Sequence, residues 1–445
     1  MKAKRIIWMC VYFLSPLVVA GLILAARPGA LGDPAYVISV LLGAAPFVWL
    51  VNQFVISARP KFIERHFGMD NLYRFHGIMA TVSFSLAFIH SRFKIALTGI
   101  TPRPAQIALI LFGLLVVAGG IFLVDSFLRR IKPIEDFRKY LAERWGFKRK
   151  VSVLLHNFSL VAIALVLLHV LNTAAAFLSP LVKGAYFAYF ALGMAFYVYH
   201  QVIRRWIMKK NAYHVIENRP EAKDVRTLTI APQAGKVFDY KPGQFALITV
   251  VNGRVEKESH PFTIAASPTR PDSVSFSIKA SGDFTSKLEQ VAVGDEVRID
   301  APYGIFSHVN FPQEQELVFI AGGIGVTPLL SMLLYLRDRD PQRKVTLLWG
   351  ARTQEDLIRR DDLDEIAQAM PHFQWVPVLS HEPDWPGEKG FFDLEKLQRL
   401  ALDGRDPQTT GFYTCGPRIM MDLVAGTLGA QGVRKERIHF EKFAF

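Results

Sequence analysis

The chain has 445 residues, of which 51% are hydrophobic, and a formal net charge of +13. Its two cysteines, Cys10 and Cys415, exclude a disulfide framework and leave no zinc-ligand spacing. The positive charge does not indicate nucleic-acid binding, because the basic residues cluster at the ends of apolar segments, as the positive-inside rule describes for membrane proteins.

Six apolar segments in the first half of the chain are long enough to span a bilayer, which takes about 20 helical residues. They cover residues 6–26, 35–57, 73–94, 105–125, 151–172 and 184–206. Basic residues precede the first segment, as in a signal peptide, but no convincing cleavage site follows it. We therefore expect the first segment to span the membrane as a helix as well, which gives six spanning helices in all.

Two of these segments carry two histidines each, His76 and His90 in the third and His156 and His169 in the fifth. At ~1.5 Å per helical residue, the members of a pair stand roughly 20 Å apart, about two thirds of a hydrocarbon core. Imidazole is a common axial ligand of haem iron, so the four histidines predict two haems, one near each leaflet. The alternative is a transporter that relays protons through histidines.

The two spacings differ in helical phase. The 14 positions from His76 to His90 return within roughly 40° of one helix face, whereas the 13 positions from His156 to His169 miss by roughly 140°. The fifth segment therefore needs a helix irregularity, or the haems are approached from different sides.

Loop charge predicts the orientation. Lysines and arginines crowd the loop at 126–150 and the end of the sixth segment, whereas the loop at 173–183 holds only Lys183. We therefore expect both termini and the 126–150 loop in the cytoplasm. The third and fifth segments then both start on the cytoplasmic side. Each level pair, His76 with His156 and His90 with His169, is predicted to hold one haem.

The second half of the chain has the composition of a soluble protein. Short β-patterned runs between residues 211 and 312 are punctuated by turn residues and predict a small antiparallel barrel. From residue 313 apolar strands alternate with amphipathic helices, which predicts a parallel α/β sheet. The expected domains are thus a six-helix all-α transmembrane bundle (1–210), an antiparallel β-barrel (211–312) and an α/β domain (313–445).

Three clusters in the second half suggest nucleotide chemistry. A strand at 317–321 leads into the glycine-rich turn 322–328 and then into a helix, an arrangement that presents backbone N–H groups and a helix dipole to phosphate. A second cluster covers 260–263 and 279–285, and a third, 414–417, ends a late strand. The alternatives are a tight strand–helix turn, a buried aromatic strand and a plain turn. Pro328 stands where the dinucleotide fingerprint has its third glycine.

These motifs, with the C-terminal run Glu441-Lys442-Phe443-Ala444-Phe445, resemble ferredoxin–NADP reductase modules. With the six segments and the paired histidines, nearly the whole chain resembles the NADPH oxidase and ferric reductase family of membrane flavocytochromes. The resemblance implies FAD, two b-type haems and NADPH or NADH as cofactors.

The resemblance also implies roles for individual residues. FAD would be bound by His260, Pro261, Phe262, Thr263, Lys279, Gly282 and Thr285. The nicotinamide nucleotide would be bound by Gly322, Gly323, Gly325, Thr327 and Pro328, with Cys415, Gly416 and Pro417 beside the nicotinamide. Either Phe443 or Phe445 would stack on the flavin, and both remain open.

Arg352 follows the second strand of the α/β domain, where a cation can pair with the 2′-phosphate of NADPH. Arg359 and Arg360 are further candidates, and an exposed arginine at a strand end is also common. The preference between NADPH and NADH therefore stays open.

The expected reaction passes a hydride from cytoplasmic NAD(P)H to FAD and then single electrons through the inner and outer haems to an acceptor beyond the bilayer. Dioxygen, giving superoxide, is the favoured acceptor, because residues 95–104 and 173–183 offer no metal-chelate pocket. A ferric chelate and a periplasmic redox partner are the alternatives. A transporter would leave the nucleotide motifs without a purpose. The compact chain resembles bacterial family members, so we expect a bacterial inner membrane.

Overall fold

The structure, a computed structural model, describes residues 2–100, 102–122, 131–145 and 149–441. They form two compact units, which meet in sequence between Arg205 and Trp206. The N-terminal unit is helical, and the C-terminal unit contains two six-stranded sheets.

The N-terminal unit is built from long apolar helices joined by short ones. Its helices are α1 (Lys2–Ala25), α2 (Pro34–Ser57), α3 (Lys61–Phe67), α4 (Met69–Thr98), α5 (Arg103–Phe122), α6 (Lys132–Trp145), α7 (Arg149–His156), α8 (Ser159–Leu171), α9 (Ala174–Leu178), α10 (Pro180–Val198) and α11 (Arg204–Lys210), with a π-helical turn at Tyr199–Ile203. Helix α2 packs mainly against α4, and α5 packs against both α4 and α8.

Six helical stretches in the described residues are long and apolar enough to cross a membrane. They are Ala3–Ala25, Pro34–Ser57, Met69–Thr98, Arg103–Ile121, Val151–Leu171 and Pro180–Lys210. Large apolar side chains such as Ile7, Leu114 and Leu181 are at least 60% exposed on them. An apolar surface of this kind marks contact with lipid or with another protein. The end of the predicted segment 105–125 lies outside the described residues.

Helix α1 contains Pro16, which has no N–H to donate to the carbonyl of Tyr12 one turn earlier. The indole Nε1 of Trp49 in α2 donates to this carbonyl instead (3.2 Å), as does the Ser15 hydroxyl (2.7 Å). A backbone carbonyl in apolar surroundings needs such a donor. The bond from Trp49 therefore satisfies the carbonyl that the proline leaves free, and it also joins α1 to α2.

The fifth apolar segment is not a continuous α-helix. Helix α7 ends at His156 and α8 begins at Ser159. Between them, the N–H groups of Asn157 and Phe158 bond to carbonyls three residues back (3.1 and 2.9 Å). Such a turn rotates the chain by about 120° per residue, against about 100° in an α-helix. The irregularity that the 13-residue spacing requires lies here, and it moves His169 toward the phase of His156.

The first sheet of the C-terminal unit is antiparallel throughout, with the strand order β4-β3-β6-β1-β2-β5. The strands are β1 (Tyr213–Ala222), β2 (Val225–Pro232), β3 (Phe245–Val251), β4 (His260–Thr263), β5 (Val274–Lys279) and β6 (Glu296–Tyr303). The N–H of Ala265 just after β4 donates to the Ser275 carbonyl in β5 (2.8 Å), which links the two edges of the sheet.

The second sheet is parallel, with the order β10-β9-β8-β7-β11-β12. Its strands are β7 (Glu316–Gly322), β8 (Lys344–Ala351), β9 (Phe373–Leu379), β10 (Glu388–Lys389), β11 (Thr410–Cys415) and β12 (Ile438–Glu441), and its helices are α12 (Thr327–Arg339), α13 (Arg360–Ala369), α14 (Leu394–Leu397) and α15 (Arg418–Ala430). The predicted antiparallel and parallel sheets are thus both confirmed. The strand order reverses between β7 and β11, and such switch points are where parallel sheets bind ligands.

Glu314, just before β7, holds the far end of this sheet together. Its fully buried carboxylate accepts hydrogen bonds from the Tyr413 hydroxyl and from His439 Nε2 (2.7 Å), and Arg437 lies 3.7 Å away. Burial and the nearby Glu314 raise the pKa of Tyr413, so the phenol keeps its proton and donates. Residues of β11 and β12 are thereby tied to the segment that precedes β7.

Glu314→Ala should lower the free energy of unfolding of the C-terminal unit by about 3 kcal/mol, the usual cost of removing one partner from a buried charged pair. Thermal unfolding of the full-length protein in detergent, followed by tryptophan fluorescence, measures this change. Glu355→Ala, at an exposed site, is the control. Equal midpoints for the two variants would contradict the assigned role of Glu314.

Candidate functional site

The glycine-rich turn after β7 begins with a short 3-10 turn (Gly323–Val326) that leads into the 13-residue helix α12. Gly323 has φ +54°, a left-handed conformation that favours glycine. From the neighbouring strand β8, Trp349 Nε1 donates to the Gly323 carbonyl (3.0 Å) and holds the turn in place. Thr327 and Pro328 form the first turn of α12, so the turn presents a helix N-terminus, the geometry that suits a phosphate.

The structure brings the glycine-rich turn against the turn at Cys415–Pro417. A Cβ on Gly325 would lie 2.3 Å from the Cys415 carbonyl oxygen, and one on Gly322 would lie 2.6 Å from Pro417 Cδ. Both turns stand at the carboxyl ends of adjacent parallel strands, β7 and β11. Two motifs about 90 residues apart in sequence therefore form one surface at the switch point of the sheet.

The Cys415 thiol is fully buried at this junction. Burial, with a smaller contribution from Glu441, raises the pKa of the thiol well above its usual range. The thiol therefore stays protonated and is not the thiolate that a cysteine nucleophile requires. Glu441 is the register partner of Cys415 in β12. Phe443 and Phe445, which follow it, lie outside the described residues.

The barrel motif joins the loop that follows β5. The His260 ring in β4 stacks on Phe284 (centroids 4.2 Å apart, 18° between planes), and Phe262 lies 6.2 Å from Phe284. Thr285 Oγ1 accepts hydrogen bonds from the N–H groups of Ser281 and Gly282 (2.9 Å each) and closes the turn. Phe284 belongs to the hydrophobic core of the first sheet, so these aromatic contacts also contribute to packing. Pro261 and Thr263 lie in β4 with His260 and Phe262.

The basic residues assigned to the two nucleotides lie close together. Lys279 Nζ is 3.1 Å from Asp224, and Arg352 is 3.7 Å from the same carboxylate oxygen. Arg359 has a different role: it pairs with Asp362 and reaches the Ala265 carbonyl of the barrel. Its side chain is only 10% exposed. Of the candidate arginines, Arg359 is thus engaged in packing.

Two of the four predicted haem ligands, His76 and His156, lie together between helices. The rings of His76 in α4 and His156 in α7 have centroids 5.9 Å apart, and Ser57 Oγ lies 3.4 Å from His76 Nδ1. His90 lies in α4 and His169 in α8. Gly43 in α2 lies against the His90 ring, where a Cβ would come within 2.9 Å of Cε1.

The sequence patterns did not identify Gly43 or Ser57 as neighbours of the histidines. A glycine within an apolar helix is a usable signal, because small residues let membrane helices approach closely. The sequence does not reveal which histidine such a glycine would face, since that depends on how α2 packs on α4. Ser57 carried no such signal.

The spacing of the His76 and His156 rings suits a metal ion held between two imidazoles. The buried Nδ1 atoms of His90 and His156 have no hydrogen-bond partner among the described residues, and a buried ring nitrogen normally has one. A histidine that binds iron through one ring nitrogen usually donates a hydrogen bond from its other ring nitrogen to a water or a carbonyl. Metal–imidazole bonds are about 2 Å long. A 5.9 Å separation between the His76 and His156 rings thus leaves room for one metal ion between them.

Gly325→Ala should abolish flavin reduction by NAD(P)H while FAD stays bound, because its methyl group would force the two turns apart. Anaerobic absorbance of the flavin after NADH or NADPH is added measures this loss. Gly426→Ala in α15 is the matched control, since nothing lies within 4 Å of its Cβ position. Full flavin reduction in Gly325→Ala would show that the contact between the turns is not required.

Two family models match the C-terminal unit. Residues 211–325 match an FAD-binding domain, and residues 319–426 match an oxidoreductase NAD-binding domain.

Several known proteins are similar to this chain. The reductase component of propane 2-monooxygenase from Rhodococcus jostii is 33% identical over 230 residues, which are 50% of this chain and 61% of the relative. The glycine betaine monooxygenase reductase subunit of Pseudomonas aeruginosa is 27% identical over 245 residues, 54% of this chain and 65% of the relative. The chain thus spans less than two thirds of the length of these relatives.

Among solved structures, the FAD/NAD-binding domain of nitric oxide dioxygenase from Vibrio cholerae matches with a TM-score of 0.47 and 25% identity, over 52% of this chain and 98% of that one. The two domain matches and the relatives named as reductases confirm the predicted enzyme class. The chain is an oxidoreductase with an FAD-binding domain and an NAD-binding domain.

Proposed function

We propose that the protein carries electrons from cytoplasmic NAD(P)H, by way of FAD and two b-type haems, across a bacterial inner membrane. The observation that carries this proposal is the presence, in one chain, of FAD- and NAD-binding domains and of paired histidines on long apolar helices. The loop charges of the sequence support an orientation with both termini in the cytoplasm.

In the proposed NAD(P)H site, the turn at 322–328 binds the diphosphate at the N-terminus of α12. The turn at Cys415–Pro417 lies beside the nicotinamide, where the neutral, buried thiol adds no charge. His260, Phe262 and Thr285 position the flavin from the barrel, and Phe443 or Phe445 covers its ring. FAD supplies hydride acceptance and one-electron release when it is bound.

In the N-terminal unit, His76 and His156 would hold one haem and His90 and His169 would hold the other. Haem supplies one-electron transfer when it is bound. Each pair would provide two imidazoles, so the protein itself would supply the ligands of both irons. The final acceptor would then receive its electron without binding iron.

We propose dioxygen as the acceptor, which would give superoxide. A ferric chelate is the alternative within the same reaction type. A redox-protein partner is a second candidate, and the names of the relatives favour it, because those proteins are reductase components of monooxygenases.

One experiment separates the acceptors. The purified protein in detergent, with FAD, receives NADH or NADPH anaerobically while haem absorbance is recorded, and air is then admitted. Haem reduction followed by fast reoxidation and by dye reduction sensitive to superoxide dismutase would support dioxygen. Slow reoxidation in air but fast reoxidation with ferric citrate would support the chelate. Slow reoxidation by both would favour a protein partner, and the lack of any haem spectrum would refute the proposal.

His90→Ala and His169→Ala should each remove about half of the bound haem, because one imidazole of a pair does not hold the iron alone. Flavin reduction by NAD(P)H should persist in both variants. Pyridine haemochrome analysis per FAD measures the change, with the exposed His372→Ala as the control. Unchanged haem content in both variants would remove these residues from the ligand set.

Gly43→Leu should reproduce the haem loss of His90→Ala although no ligand is changed, because the new side chain would displace the His90 ring. Gly21→Leu in α1, where nothing lies within 4 Å, is the matched control. The haem-to-FAD ratio of the two variants tests this expectation. A normal ratio in Gly43→Leu would mean that His90 does not need its position beside α2.

A further inference from the structure

Arg352 lies beside the glycine-rich turn. Gly350, two residues earlier, is the register partner of Gly322 in the neighbouring strand. Dinucleotide-binding domains recognise the adenosine ribose in this region, by a carboxylate for the 2′-hydroxyl of NADH or by a cation for the 2′-phosphate of NADPH. The side chain of Arg352 is 58% exposed, so a ligand can reach it.

Carboxylates already hold the guanidinium of Arg352. Its Nε and Nη2 donate to the two carboxylate oxygens of Asp356 (3.1 and 3.2 Å), a bidentate pair. Its Nη2 also lies 3.7 Å from Asp224. A 2′-phosphate that approached the remaining N–H groups of Arg352 would therefore meet a cation whose charge these carboxylates already balance.

Both carboxylates are fixed by other contacts. Asp356 accepts a hydrogen bond from the N–H of Thr353 (3.3 Å) in a reciprocal capping box. Burial alone would raise the pKa of Asp356, but the hydrogen bonds from Arg352 and Thr353 and the charges of Arg352 and Lys279 together outweigh it, so the pKa lies below its usual value and the group is ionised. Asp224 is held by Lys279 Nζ at 3.1 Å.

Two cations, Arg352 and Lys279, and two carboxylates form one cluster with Asp356 and Asp224 as its acidic members. These four groups together carry no net positive charge that would attract a phosphate dianion. Another carboxylate stands near: Glu382 accepts a hydrogen bond from the N–H of Gln354 (2.7 Å). The 2′-phosphate of NADPH, brought against ionised Asp356, would meet like charge, which strongly disfavours the binding of NADPH. A ribose 2′-hydroxyl, by contrast, can donate to either carboxylate.

The cluster also crosses the boundary between the two matched domains. Asp224 belongs to the turn between β1 and β2, and Lys279 ends β5, both in the FAD-binding domain. Arg352 and Asp356 belong to the NAD-binding domain. A residue of the FAD-binding domain therefore stands at the place where the other domain would recognise its nucleotide.

We propose that Asp356 and Asp224 together form the recognition site for the adenosine ribose, and that they make the protein select NADH over NADPH. Asp224 acts on this choice from the FAD-binding domain by balancing the positive charge of Arg352. The inference rests on the proposed function, in which NAD(P)H is the electron donor.

The test compares kcat/KM for NADH and NADPH, with ferricyanide as the acceptor, in full-length protein in detergent supplied with FAD. The wild type should favour NADH by at least about tenfold, and Asp356→Asn and Asp224→Asn should each shift the ratio toward NADPH by about tenfold. Glu355→Gln removes a carboxylate from the same short turn and is the matched control, which should leave the ratio unchanged. A wild type that prefers NADPH would overturn the inference, as would Asn variants that lose both activities equally while they keep wild-type thermal midpoints.

A binding measurement keeps the test decisive if a variant fails to fold. In the wild type, 5′-AMP should inhibit NADH oxidation at about a tenth of the concentration that 2′,5′-ADP requires, and equal or tighter inhibition by 2′,5′-ADP would refute the inference. Failure of the proposed function looks different. Neither nucleotide would then reduce the flavin, whereas failure of this inference alone leaves flavin reduction intact without a preference for NADH.

Discussion

The close approach of two backbone turns at the carboxyl edge of the parallel sheet determines how the rest of the nucleotide domain is arranged. Gly325 admits the Cys415 carbonyl, and Gly322 admits the Pro417 ring, at distances that no Cβ would permit. The strands that carry the turns must be neighbours, which the β7–β11 pairing achieves. Trp349 supports the same turn from the other side. Glycine is needed at both positions for this packing.

The N-terminal unit follows a different constraint, since its helices expose apolar side chains and its backbone groups find partners within the unit. Trp49 supplies the donor that Pro16 removes. Two bonds to carbonyls three residues back recover about 40° of the roughly 140° mismatch between His156 and His169, without a proline. The long helices therefore keep specific breaks, and the break between α7 and α8 brings His169 closer in phase to His156.

Much of the architecture was predictable because its periodicities are strong. The apolar segments, the change to β-patterned runs after residue 211 and the glycine-rich turn all follow from local composition. Contacts between distant segments were not predictable. The meeting of Gly43 with His90 depends on helix packing, and the stacking of His260 on Phe284 depends on the strand order. Arg352 was recognisable as a cation at a strand end, but its carboxylate partner Asp224 comes from another domain about 130 residues earlier.

The buried carboxylate of Glu314 also imposes an order in time. Its partner His439 lies 125 residues later in the sequence, in the outermost strand of the sheet. During synthesis Glu314 leaves the ribosome long before this partner exists, so an uncompensated charge opposes early closure of the sheet around it. The apolar helices are complete well before that point. The parallel sheet would thus close only after the helices of the N-terminal unit have been made.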